Sequence, residues 1–422
     1  MEKKGIITIF VVCVLVFGAV IYLQNMNPNP NIKKIRLADD TNATADSVEL
    51  LVESLNAFSF NFYNEIVTSE NGNIFFSPYS IFVALSMAYE GANGNTATEM
   101  QNVLNILQNN SASLGSFGRI YNLLNENQDG YTISTANAFW ANQDYTFLSE
   151  YLALLENFYM AEANKLDFSK NVEAAETINN WIEDQTNDKI KDMIQPDMLS
   201  DLTKLVLTNA IYFKGLWAIP FNPENTYLTE FNLTSGEKVN IDMMKSDSEN
   251  SDFNYTETED LQILELQYSG NDLSMLIILP KENNISLAES SINLENLTNW
   301  RSDLHNTEID VEIPKFKFET KYTLNDLLIK MGIIDAFAPG IADFSGMDGT
   351  RNLFISRALH KAYIDVNEEG TEAAAATAII MELTAIQEEK EFRADHPFIF
   401  LIQHKETGAL LFMGKIMNPA VR

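Results

Sequence analysis

Two secondary structures compete for the stretch from Glu368 to Phe392, and any fold proposed for this chain has to accommodate both. The segment reads Glu-Glu-Gly-Thr-Glu-Ala-Ala-Ala-Ala-Thr-Ala-Ile-Ile-Met-Glu-Leu-Thr-Ala-Ile-Gln-Glu-Glu-Lys-Glu-Phe. Propensity favours a helix over Glu372 to Ala378, because alanine loses least on entering one. Alternation favours a strand with two usable faces. Thr371, Ala373, Ala375, Thr377, Ile379, Met381 and Leu383 form one face, which carries no charge. Glu372 and Glu382 mark the other, with Ala374, Ala376, Ala378 and Ile380 between them. An alanine-rich surface helix is the plain reading. A segment acceptable both as a solvated loop and as a half-buried strand is a candidate switch, and Gly370 stands before it where a freely rotating hinge would be needed.

The chain ahead of this segment is helical first and strand-rich later. Asp46 with Glu49 reads as a capping pair, opening a helix whose stripe is Leu51, Leu55, Phe58, Phe62 and Ile66. Ser77-Pro78 suits an N-cap with proline in the first turn, for a helix stopping near Gly91. Thr96 and Glu99 read as another capping box, and Ala175 to Ile194 as a helix around Ile178, Trp181, Ile182 and Ile190. Ile133 to Ala141 is a predicted strand. From Leu205, apolar through Phe213, strands take over. Leu261–Tyr268 and Leu273–Pro280 form a predicted hairpin, and Ile309, Val311, Ile313, Phe316 and Phe318 alternate around Pro314. Without regular strand–helix alternation, the class is α+β. With no internal repeat, 46–422 reads as a single domain.

Residues 5–23 are apolar and follow Lys3 and Lys4. At ~1.5 Å rise per residue they roughly span a bilayer core of ~30 Å. The lysines hold the N-terminus inside, so the remainder is expected to be extracellular. Residues 1–23 therefore read as a signal peptide or an uncleaved membrane anchor, and 24–45, aperiodic and rich in Asn and Pro, as a tether. With 28 basic and 59 acidic residues the net charge is −31, which repels phosphate and sulfate polymers. Nucleic acid and heparin-type cofactors are thus not expected. Cys13 is the sole cysteine, so the domain has neither disulfide nor thiol nucleophile. His305, His360, His396 and His404 lack metal-ligand spacing, and no G-x-S-x-G is present, so neither a metal, a cofactor nor an enzyme activity is expected.

Long matches in family order give the chain a name for its kind. Asn73-Ile-Phe-Phe-Ser-Pro-Tyr-Ser through Glu90-Gly-Ala-Asn-Gly-Asn-Thr-Ala is one, and Ser134-Thr-Ala-Asn-Ala-Phe-Trp another. Asn209-Ala-Ile-Tyr-Phe-Lys-Gly-Leu-Trp, Pro314-Lys-Phe-Lys-Phe-Glu, Ala342-Asp-Phe-Ser-Gly-Met and His360-Lys-Ala follow. The Glu-Glu-Gly-Thr-Glu-Ala-Ala-Ala hinge and the two C-terminal strands complete the set. With these motifs the chain, over nearly all of 50–419, resembles the serpins.

That resemblance implies a three-sheet fold with about eight to nine helices and a reactive loop over about 368–392. It implies a monomer and an inhibitor of serine-type endopeptidases. Such a protein is cut as a pseudo-substrate, then draws its hinge into the central sheet with the acylated enzyme attached. The hinge is Glu368, Gly370, Thr371, Glu372, Ala373, Ala374, Ala375, Ala376 and Thr377. Family spacing from Gly370 places the cleaved bond between Thr384 and Ala385, with Leu383–Thr384 as the alternative. Thr384 suits an elastase-like pocket and Leu383 a chymotrypsin- or subtilisin-like one. Ser77, Ser80, Asn209 and His360 match the family's polar cluster beneath the opening sheet. Trp217 matches the tryptophan under the loop end, and Lys315 with Glu368 an ion pair there. A non-inhibitory carrier, chaperone-like or storage serpin, or an inhibitor of cysteine proteases, remains the alternative implied by the same scaffold.

Overall fold

The structure, a computed structural model, describes residues 36–106, 111–125, 130–247, 252–371 and 390–421. Leu37 to Arg422 form one unit. Its start lies ahead of the expected boundary at 46. The Ala38 amide donates to Asn122 Oδ1 at 2.8 Å, Asn122 Nδ2 donates back to the Ala38 carbonyl at 3.0 Å, and the Asp39 amide reaches Asn157 O. Residues 37–45, expected as part of the tether, are thus bonded to the body. The 1–23 signal or anchor and tether residues 24–35 lie outside the described residues.

Helix α1 (Ala45–Ile66) carries the expected stripe, and Leu51, Leu55, Phe58, Phe62 and Ile66 are all buried. Its cap differs from expectation. Thr44 Oγ1 accepts from the Ser47 amide while Ser47 Oγ accepts from the Thr44 amide, and Asp46 sits inside the first turn. Strand β1 (Ile74–Phe76) leads through Ser77 into α2 (Pro78–Tyr89), where Ser77 is the N-cap and Pro78 the first helical residue, as expected. Every residue of α2 is buried, which makes it the central post of the core.

In α3 (Gly94–Leu104) the capping box expected at Thr96 and Glu99 does not form, because the helix starts earlier, at Gly94. Thr96 Oγ1 instead accepts from the Asp343 amide and Glu99 from the amides of Ile334 and Asp335. Helix α4 (Ser111–Asn125), strand β2 (Tyr131–Asn142), α5 (Ser149–Leu154), β3 (Glu162–Leu166) and α6 (Asn171–Gln185) follow. The helix expected to reach Ile194 ends at Gln185, since Asn187 and Asp188 take left-handed φ of 52° and 60°.

Next come β4 (Leu205–Leu216), β5 (Tyr227–Asn232), β6 (Lys238–Lys245), β7 (Asp252–Glu257), β8 (Leu261–Gln267) and β9 (Leu273–Pro280). Helices α7 (Ile285–Ser291) and α8 (Leu294–Asp303) precede β10 (His305–Pro314) and β11 (Phe316–Thr323). After α9 (Asn325–Met331) and α10 (Ser345–Asp348) come β12 (Ile355–Asn367), β13 (Gly370–Thr371), β14 (Lys390–Arg393), β15 (Phe398–His404) and β16 (Leu410–Ile416). Ten α-helices are thus described against eight to nine expected, the shortest being the four-residue α10.

The strands make a six-stranded sheet in the order β11-β12-β13-β4-β2-β3 and a ten-stranded assembly. In the latter, β10 belongs to two sheets. Its first residues pair with β7, and its last with β6 and the parallel β14. The three-sheet architecture is present, with two sheets joined through one strand. Strand β4 is buried along nearly its whole length, because the main core covers one face and α6 the other. Among the described residues no helix is long and apolar enough to cross a membrane.

Candidate functional site at the open end of the six-stranded sheet

Strands β12 and β4 are parallel neighbours from Ile355 opposite Leu205 to Tyr363 opposite Tyr212. Beyond that point the two-residue β13 lies between them. Thr371 pairs with Val366 on one side and Gly215 on the other, and Gly370 with Asn367 and Leu216. Both pairings are antiparallel. The expected hinge therefore begins as the first two residues of a strand already wedged into a parallel seam.

Two glycines make room for this wedge. A Cβ on Gly370 would stand 2.0 Å from the Gly215 carbonyl oxygen, so no larger residue fits without moving backbone. A Cβ on Gly215 would meet the Tyr268 ring at 2.6 Å. The missing side chain lets Tyr268 lie against the strand, where its hydroxyl is 2.9 Å from Thr371 Oγ1. Burial pushes the Tyr268 phenol well above its usual range, with the Thr371 bond acting in the opposite sense, so the ring stays neutral.

Tyr268 is stacked on Trp217, centroids 4.6 Å apart and planes 15° apart. Trp217 in turn holds the turn leading into the hinge. Its Nε1–H donates to the Asn367 carbonyl at 3.0 Å and its amide to the Glu369 carbonyl at 2.8 Å. The Phe221 amide takes the Glu368 carbonyl at 2.8 Å. The Glu368 carboxylate is largely buried and receives Lys315 Nζ at 2.8 Å and Thr226 Oγ1 at 2.8 Å. Burial pulls its pKa upward, but the Lys315 ammonium, the Thr226 hydroxyl and a backbone amide outweigh that and hold the carboxyl below its ordinary value.

Deeper in the sheet a polar row crosses four strands: Asn137 on β2, Asn209 on β4, His360 on β12 and Tyr322 on β11. His360 Nδ1–H donates to Asn209 Oδ1, and Asn209 Nδ2 donates to Asn137 Oδ1 and Ser80 Oγ. The Ser77 amide donates to His360 Nε2 at 3.1 Å, and Ser77 Oγ donates to the Leu411 carbonyl at 2.7 Å. An acceptor role for Nε2 requires neutral imidazole. Burial agrees, pushing the His360 pKa down to about 3. The serines beside this histidine are not activated nucleophiles, since the ring nitrogen that would act as base is occupied by a backbone amide.

Ser77, Ser80, Asn209 and His360 thus converge as expected, and so do Trp217, Lys315, Glu368, Gly370 and Thr371. Glu372, Ala373, Ala374, Ala375, Ala376, Thr377, Leu383, Thr384 and Ala385 lie outside the described residues, so the expectations on the remaining hinge and the cleaved bond carry no structural description. Sequence reasoning missed Asn137, Thr226, Tyr268 and Tyr322. An asparagine in the middle of an apolar strand, as at Asn137, was the one available signal. No group of three or more His, Cys, Asp or Glu able to hold a metal occurs among the described residues.

The family profile described as Serpin (serine protease inhibitor) matches residues 53–419. An uncharacterized serpin-like protein of Thermococcus kodakarensis is 38% identical over 431 residues, covering 99% of each chain. The leukocyte elastase inhibitor of Bos taurus is 41% identical over 357 residues, 82% of this chain and 93% of that one. Among solved structures, a highly specific serpin of the insect Tenebrio molitor superposes with a TM-score of 0.78 at 33% identity, covering 87% of this chain and 98% of that one.

Proposed function

The chain belongs to the serpin family of serine protease inhibitors, and from that premise we propose that it inhibits a serine-type endopeptidase as a suicide substrate. The protease cuts the reactive loop between Thr384 and Ala385, or between Leu383 and Thr384. The hinge then continues into the sheet between β12 and β4, carrying the acylated enzyme with it. The observation that carries this reading is Gly370–Thr371 paired on both sides within that seam. A strand already begun needs only more residues of a compatible face, and Ala373, Ala375 and Thr377 supply small, uncharged ones. The likeness to leukocyte elastase inhibitors supports a small or apolar residue at the cut. Lysine and arginine are missing from 371–389, which argues against trypsin-like targets. The apolar 5–23 stretch supports action outside the cell, secreted or tethered.

The test is incubation with elastase-, subtilisin- and chymotrypsin-like proteases. A covalent adduct surviving detergent is expected, with mass spectrometry of the released fragment placing the cut at 383/384 or 384/385. Clean cleavage without adduct, and no gain in melting temperature of the cut protein, would establish a non-inhibitory serpin instead.

A further inference from the structure

We propose that Lys214 and Lys204 are the register-setting partners of the entering strand, pairing with Glu372 and Glu382 respectively. The inference rests on the insertion reading above. Strand β13 runs antiparallel to β4, with Gly370 opposite Leu216 and Thr371 opposite Gly215. Each further residue of the entering strand therefore meets the preceding residue of β4. One step beyond Thr371 sets Glu372 against Lys214, and ten more set Glu382 against Lys204. The spacing of the two acids matches the spacing of the two cations.

The faces match as well. On β4, Leu207, Ile211 and Phe213 enter the main core, whereas Val206 and Ala210 join the cluster under α6. Alternation places Lys204 and Lys214 on the α6 side. Lys204 extends the β4 ladder by one residue, its carbonyl accepting from the Asn142 amide at 2.9 Å. Thr371 turns toward the core, where it meets Tyr268, so its even-numbered successors turn the other way. In register and face, Glu372 and Glu382 arrive where the lysines stand.

Neither lysine side chain has a partner among the described residues. In a chain with 59 acidic residues against 28 basic ones, unpartnered cations at those two positions call for an occupant. Across the seam, continuation of the β12 register sets Glu372 beside Asp365, whose charge Lys317 already offsets at 2.9 Å. A shifted register would set both acids against uncharged residues instead of the two cations, so the lysines favour one alignment over its neighbours.

The test uses the full chain carrying Lys204→Glu or Lys214→Glu, the swaps Lys214→Glu/Glu372→Lys and Lys204→Glu/Glu382→Lys, and the uncharged Lys204→Gln and Lys214→Gln. Melting is recorded before and after loop cleavage, together with the ratio of adduct to merely cut inhibitor. Each reversal is expected to lower that ratio about two- to five-fold, with uncleaved melting unchanged, and each swap to restore the cleaved protein's melting temperature. In 1 M salt, where the screening length is about 3 Å, the difference should shrink. The Gln variants report the same direction without adding charge, should a reversal impair folding. If the parent gains heat resistance on cleavage but all variants partition and melt like it, the pairing is wrong and insertion stands. If the parent itself gains none, the insertion reading fails first.

Discussion

His360 on β12 donates from Nδ1 to the amide oxygen of Asn209 on β4, and this bond ties together the two strands that any inserted residue must separate. The tie is neutral, buried and fully partnered, so its strength depends on the protonation of one ring.

Acid should lower the stability of the fold through this ring. The pKa of His360 is about 3 in the fold against an ordinary value near 6.5. Between those values the unfolded chain binds the extra proton and the folded one does not, so stability falls as pH drops below 6.5 and the loss is complete near 3. At pH 5 the cost is about 2 kcal/mol relative to pH 7.5. Denaturant unfolding at both pH values should show that difference reduced by a similar amount in His360→Gln. An unchanged pH dependence would remove His360 as its source.

Thr371→Arg should convert inhibitor to substrate. Thr371 is buried against Tyr268, and an unpaired charge there costs several kcal/mol. Adduct yield is expected to fall by about tenfold or more while loop cleavage persists. Equal adduct yield would exclude insertion through this position.

Gly370→Ala tests the wedge itself. The added Cβ would overlap the Gly215 carbonyl, so β13 is expected to leave the seam. Uncleaved stability should fall by about 1–3 kcal/mol, and limited proteolysis within 368–372 should quicken. A variant as stable and as protected as the parent would show that the backbone yields instead.

Lys315→Met leaves the buried Glu368 with Thr226 and a backbone amide but without its cation. A loss of about 1 kcal/mol at pH 7 is expected, discounted because Lys315 is partly exposed. The Glu368 pKa is lowered in the fold, so this stabilisation is present above the ordinary glutamate value and lost as pH falls through the folded one. The gap between variant and parent should therefore close in acid.

Local patterns carried much of this fold, and the exceptions have physical reasons. Ser77-Pro78 announced a helix start because cap and first turn are adjacent in sequence. Thr96 and Glu99 had the same spacing as a cap, yet Gly94 let the helix begin earlier and the two side chains bonded to residues more than 200 positions away. Tyr268 was invisible for a related reason. Nothing beside it in sequence marks it, because its place is created by a side chain absent from Gly215 on another strand. Asn137 joins its cluster only once β2 and β4 are set in register.

Strand β10 lends one half to each of two sheets, and β14 moors on the shared strand while β13 is moored in the six-stranded sheet. The 18 residues between Thr371 and Lys390 thus leave one sheet and return to another. A chain severed anywhere in that stretch would keep one stump tied to the six-stranded sheet and the other to β10, so rejoining the ends would be opposed by where each is fastened.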